Sequence, residues 1–105
     1  MGEVIIVDFS GKITLGEGSS MLRRTLYDLI GRGHRKIVLN LYDVDYIDSS
    51  GIGELVSGYT TVRGAQGELK LLNLTKRIKD LLQITRLYTV FDVRSDEDEA
   101  IRSFS

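Results

Sequence analysis

The sequence predicts an α/β fold, a mixed, mainly parallel β-sheet with helices packed largely on one side. Three observations carry this. Apolar runs of strand length recur at residues 4–7, 36–41, 68–73 and 88–93, too short for buried helices. Between them, apolar residues return at three- and four-residue spacing, the mark of one buried helix face. Glycine stands at most junctions, and with 11 glycines and no proline the turn chemistry rests on it. The implied order is β-β-α-β-α-β-α-β-α. Strands alternating with helices favour parallel pairing through right-handed crossovers.

Each element has its own signal. Residues 4–7 read as a strand buried on both faces. Ser10-Gly11 is a turn signal and residues 12–15 alternate like a returning strand, so an antiparallel hairpin is expected. Gly16-Glu17-Gly18 is a loop; it lacks the third glycine and the βαβ context of a dinucleotide fingerprint. Ser19 or Ser20 is the expected cap of the first helix, with Leu22, Leu26, Leu29 and Ile30 inward, and Arg23, Arg24 and Asp28 facing water. Gly31 and Gly33 end it. The most apolar strand, residues 36–41, follows, with residues 42–46 read as a tight connection. A second helix spans about 50–63, its face marked by Ile52, Leu55, Val56, Tyr59 and Val62, and residues 64–67 stop it. After strand 68–73, Thr75 caps a short helix with Ile78, Leu81 and Leu82 inward. The last strand is 88–93. Ser95 with Asp98 resembles a capping box, and Asp96, Glu97, Asp98 and Glu99 crowd the first turn of the last helix, where the helix dipole favours anions.

Composition narrows the function. A chain of 105 residues is one domain of common size, expected over residues 1–105, and its 42% hydrophobic content supports a core without staples. It has no cysteine, so disulfides and thiolate metal sites are excluded and a reducing, cytoplasmic setting is expected. A net charge of −1 argues against a nucleic-acid partner. No apolar run approaches the roughly 20 residues needed to span a bilayer, and Met1-Gly2-Glu3 leads straight into a strand with no signal peptide visible. The moderate charge is consistent with a monomer.

The chemistry concentrates in Tyr46-Ile47-Asp48-Ser49-Ser50-Gly51-Ile52-Gly53. Asp48, Ser49 and Ser50 are all good helix N-cap types. Gly51 and Gly53 are poor helix-interior residues, and glycine after a cap lets another molecule approach the backbone. A pair of serines therefore sits at the positive end of a helix, where a phosphate is tolerated. The stretch "VDYIDSSGIGEL", with its ordered flanks "GHRKIVLNL", "GELKLLNL" and "LLQITRLYTVFDV", resembles the STAS-domain proteins, specifically single-domain bacterial anti-sigma factor antagonists. The resemblance implies that Ser50, the serine just before the glycine, is phosphorylated by a partner that is both serine protein kinase and anti-sigma factor. It implies further that the dephosphorylated form captures that partner and frees a sigma factor, and that a serine phosphatase resets the switch. Ser49 is then the expected cap, although residue type alone does not separate the two serines' roles. The expected docking surface is Asp48, Ser49, Ser50, Gly51, Ile52, Gly53, Glu54 and Ser57, with Gly58 and the 16–19 loop beside it. A structural STAS subunit of a signalling scaffold or membrane transport complex is the alternative.

Other chemistries fit less well. "SSGIG" lacks the Gly-x-Ser-x-Gly elbow of serine hydrolases, and His34 precedes the central strand, at the opposite end from Ser50. Asp43, Asp45 and Asp48 lack the glycine and distal glutamate of a calcium loop. Nucleotide binding lacks a phosphate-cradling glycine loop. The expectation is a binding module with no catalytic group, cofactor or metal. Lys76, Arg77, Lys79 and Arg86 form a small basic stretch, and Tyr42, Tyr46 and Tyr59 bracket the motif; both sets read as solvated or core-edge residues that a docking partner would also suit.

Overall fold

The structure, a computed structural model, describes residues 3–14 and 16–104. The expectations at Met1-Gly2 and Leu15 lie outside them. The elements are β1 (Val4–Ile13), α1 (Glu17–Gly31), β2 (Lys36–Ile47), α2 (Ser49–Gly64), β3 (Glu68–Leu72), α3 (Lys76–Ile84), β4 (Asp92–Arg94) and α4 (Glu97–Arg102). The sheet order is β1-β2-β3-β4, and each neighbouring pair is parallel.

The α/β class holds, but the opening hairpin does not. Gly11 takes a left-handed φ of 84° as part of a bulge rather than a turn. The register steps between Asp8 and Ser10 and again between Gly11 and Lys12, and the chain runs on as one strand. The sheet is therefore parallel among the described strands, and the order is β-α-β-α-β-α-β-α. The same pairing corrects residues 42–46: Ser10 faces Asp43 and Ile13 faces Ile47, so the supposed connection is the second half of β2. As an edge strand, β1 is half-buried along residues 4–7 rather than buried on both faces. β4 is shorter than its apolar pattern suggests, because β3 offers pairing only from Lys70 to Leu72; Tyr88 and Val90 fall in an exposed turn before it.

Three caps move. Gly16 stands at the N-cap of α1, three residues ahead of Ser19, the nearer of the two expected caps, and Ser19 instead donates from Oγ to the Thr14 carbonyl at 2.7 Å. Asp96, not Ser95, caps α4 by accepting from the Glu99 amide at 3.0 Å. At α2 the cap is Asp48. Thr75 caps α3 as expected, accepting from the Ile78 amide at 3.3 Å.

Apolar side chains from α1, α2 and α3 pack on one face of the sheet with Ile37, Leu39, Leu41, Leu69 and Leu71. A smaller cluster on the other face joins Val38 and Leu72 to Ala100 and Phe104 of the C-terminal segment. The helices thus lie largely on one side. Three of them start from the end of the sheet where β1 and β2 finish.

Candidate functional site

β2 brings the chain to Ile47, fully buried, and the next residue must turn into a helix. Asp48 does so in extended conformation, φ −113° and ψ −173°. Its Oδ1 accepts from the Gly51 amide at 2.9 Å, and its carbonyl accepts from the Ile52 amide at 3.0 Å. The Asp48 side chain therefore satisfies one orphan donor of α2 and its carbonyl opens the intrahelical ladder, and Ser49 is the first helical residue rather than the cap. The turn is pressed against β1. A Cβ on Gly51 would lie 2.1 Å from the Ile13 carbonyl oxygen and 2.6 Å from Ile47 Cγ1, so glycine is required there by contact rather than by backbone angle. Gly18 makes the matching approach from α1, with a Cβ position 2.3 Å from the Lys12 carbonyl. The starts of α1 and α2 thus meet at the end of β1, which brings residues 16–19, expected as a loop but forming the cap and first turn of α1, close to the serine pair.

This arrangement sorts the expected docking residues. Ser49, Gly53 and Ser57 are exposed, and Asp48, Ser50 and Glu54 are half-buried. Gly51 and Gly58 are buried, and the Ile52 side chain is 3% exposed within the core, out of a partner's reach. Among the described residues the Ser49 and Ser50 hydroxyls have no hydrogen-bond partner. Gly58 accommodates Leu26 of α1, whose Cδ1 would be 2.4 Å from a Cβ, and so sets how closely α1 and α2 approach.

Two cations that pattern alone left on solvated faces belong to this end of the molecule. Arg23 of α1 forks onto Glu54, with Nε 3.3 Å from Oε1 and Nη2 on Oε2. The Glu54 hydrogen bond and charge hold the Arg23 guanidinium above its ordinary pKa. Arg77 of α3 donates from Nε to the Ile47 carbonyl at 3.3 Å and lies over the Tyr46 ring, 4.3 Å from its centre. Both contacts bridge about 30 residues of sequence, so helix periodicity shows only that the side chains leave the core. Of the other basic residues, Lys76 pairs with Asp80 at 3.1 Å. Tyr59 packs edge-on against Phe91, with centroids 5.5 Å apart, while Tyr42 is exposed.

His34 lies before β2, at the far end from Ser50. Asp43 and Asp45 project to solvent from β2, and among the described residues no group of three His, Cys, Asp or Glu side chains is placed to hold a metal. No described helix is long and apolar enough to cross a membrane.

The family model of the STAS domain matches residues 1–100. The anti-sigma-B factor antagonist of Bacillus subtilis (strain 168) is 32% identical over 98 residues, covering 93% of this chain and 88% of that protein. Among solved structures, the Bacillus cell fate determinant SpoIIAA in its phosphorylated form superposes with a TM-score of 0.75 at 21% identity, covering 100% of this chain and 94% of that one. The STAS domain of a SulP transporter from Vibrio cholerae does so with a TM-score of 0.77 at 13% identity, covering 97% and 80%. At such identities the two structural likenesses concern the fold alone.

Proposed function

This chain belongs to the STAS-domain family, and on that premise we propose that it is an anti-sigma factor antagonist whose binding is switched by phosphorylation of Ser50. It is a regulatory binding protein rather than an enzyme, like the antagonists it matches along most of their length. The observation that carries the phosphoacceptor reading is the geometry of the turn. Ser50 stands in the first turn of α2, half-buried, with its hydroxyl uncommitted among the described residues, beside a capping carboxylate that fixes the backbone.

The switch follows from electrostatics. A phosphate brings about −1.5 to −2 charges at neutral pH. A helix N-terminus favours such a charge by roughly 0.3–1 kcal/mol, so the modified domain stays folded. A protein packed over the turn has to bury the phosphate, and an unpaired buried ion costs several kcal/mol. At 1.4 kcal/mol per decade, the complex weakens by about 100-fold or more. In this reading the unmodified form captures a cytoplasmic anti-sigma factor that is also the serine kinase, using ATP and magnesium, and a serine phosphatase restores it. Ser49, Ser50, Gly53, Glu54 and Ser57 are the contact residues, with Gly51 and Ile52 acting from beneath by shaping the turn.

The test is incubation with ATP, magnesium and candidate kinases from the source organism, followed by intact mass and peptide mapping. One phosphate on Ser50, absent from Ser50→Ala, with Ser50→Asp failing to bind the same kinase, is the expected result. A domain that takes no phosphate and elutes within a large assembly is a structural STAS subunit instead.

A further inference from the structure

Ser50 and Glu54 stand four residues apart on α2, hence on one face with Cβ atoms about 5–6 Å apart. A phosphate on Ser50 would stand beside the Glu54 carboxylate, like charge against like. The structure already holds a cation between α1 and that face. Arg23 grips Glu54 with Nε and Nη2, and a guanidinium carries five N–H donors in a planar fork, so donors remain for a second acceptor. Its side chain is half exposed, whereas that of Glu54 is 16% exposed: the acid is held in place and the arginine has room to swing. Resting on the reading that Ser50 is the phosphoacceptor, we infer that Arg23 is the intramolecular counter-ion of phosphorylated Ser50, shared between the phosphate and Glu54. The switch then has a built-in reader. Before modification Arg23 neutralises Glu54 and the surface is close to neutral. Afterwards Arg23 is divided between the phosphate and Glu54, so Glu54, a docking residue, is only partly neutralised once the phosphate appears.

Among the described residues, the charged groups that the contacts place around the start of α2 are Asp48 on its own turn, Glu54 and Arg23 across α2 and α1, and Arg77 beneath the turn from α3, where it is engaged by the Ile47 carbonyl and the Tyr46 ring. The second ionisation of a phosphoserine, near pH 6, reads their balance directly. The experiment installs phosphoserine at position 50 by suppressor-tRNA incorporation, which needs no kinase, and titrates it by phosphorus NMR. Arg23→Gln should raise that pKa by roughly 0.5–1 unit, since a cation is lost and Glu54 is left bare. Glu54→Gln should lower it, and Arg23→Lys should keep part of the wild-type value. Arg24→Gln, one residue round the helix, should change nothing, and amide spectra establish that each variant is folded. An unchanged value in Arg23→Gln, or a rise produced by Arg77→Gln in its place, overturns the inference. Because the phosphate is installed without enzyme, failure of every kinase to modify Ser50 counts against the proposed switch alone, and an unmoved pKa counts against Arg23 alone.

Discussion

Asp48→Ala removes the acceptor for the Gly51 amide at the start of α2. Losing such a cap should cost about 1 kcal/mol, within a range of 0.5–2, while Ser49→Ala should stay within about 0.5 kcal/mol as an ordinary surface change. Urea midpoints of the two variants check this. Two residues on, the glycines divide as sharply. Gly51→Ala drives a Cβ into the Ile13 carbonyl, and with backbone on one side and Ile47 on the other the strain should cost about 1–3 kcal/mol. Gly53→Ala meets nothing within 4 Å and should stabilise by about 0.5–1 kcal/mol through helix propensity. If the two alanines proved equally tolerated, the close approach of α2 to β1 would be wrong. The cluster of cap-type residues and glycines was legible in the sequence. Their division of labour was not, because it depends on where β2 ends relative to the Ile13 carbonyl, a contact across the sheet.

α1, α2 and α3 end alike. In α1 the Gly33 amide bonds the Ile30 carbonyl and the His34 amide bonds Leu29; α2 repeats this with Gln66 and Gly67, and α3 with Arg86 and Leu87. Each is a Schellman turn whose penultimate residue must be left-handed. Gly33 accepts that at φ 92°, but Gln66 and Arg86 are held at 65° and 62°. A left-handed L-residue costs about 1–2 kcal/mol, partly offset by the chain entropy a glycine would lose. Gln66→Gly and Arg86→Gly should each therefore stabilise the domain by about 0.5–1 kcal/mol, read from thermal or urea unfolding. The stop at residues 64–67 was visible, but its glycine is displaced by one. Gly67 is held elsewhere, its Cβ position 2.7 Å from the Arg35 carbonyl, which leaves the left-handed place to Gln66. The same limit explains the missing hairpin: Ser10-Gly11 has turn chemistry, and only its pairing with β2 shows that it is a bulge. Periodicity located the elements that bury a face, and failed where a local signal had two uses.

With strands ordered β1-β2-β3-β4 and all parallel, one end of the molecule receives the starts of α1, α2 and α3 and carries the candidate site. The opposite face of the sheet is left to α4 and a small charge network. Lys70, 5% exposed, is paired with Asp92 and lies 4.8 Å from the centre of the Phe104 ring, while Arg94 bonds the same carboxylate at 2.7 Å. The Arg94 hydrogen bond, followed by that of Lys70, holds the Asp92 carboxyl below the usual carboxylate range against the opposing effect of burial. A group whose folded pKa is depressed adds stability above its unfolded value, near 3.9, and that contribution drains away as pH falls through the folded value. Asp92→Asn should therefore be less stable than wild type at neutral pH, with Lys70 left against an amide. The gap should narrow below about pH 4 and close once the wild-type carboxyl is itself protonated. Urea unfolding at a series of pH values measures this, and a gap that stayed constant to pH 2 would show that packing under α4, not charge, is what Asp92 supplies. Phosphorylation at Ser50 should leave the gap unchanged, since sites far apart with no shared partner act additively. A coupling between the two ends would instead mean that the sheet transmits the switch to α4, and the phosphate would then act on the fold as well as on whatever docks over the turn.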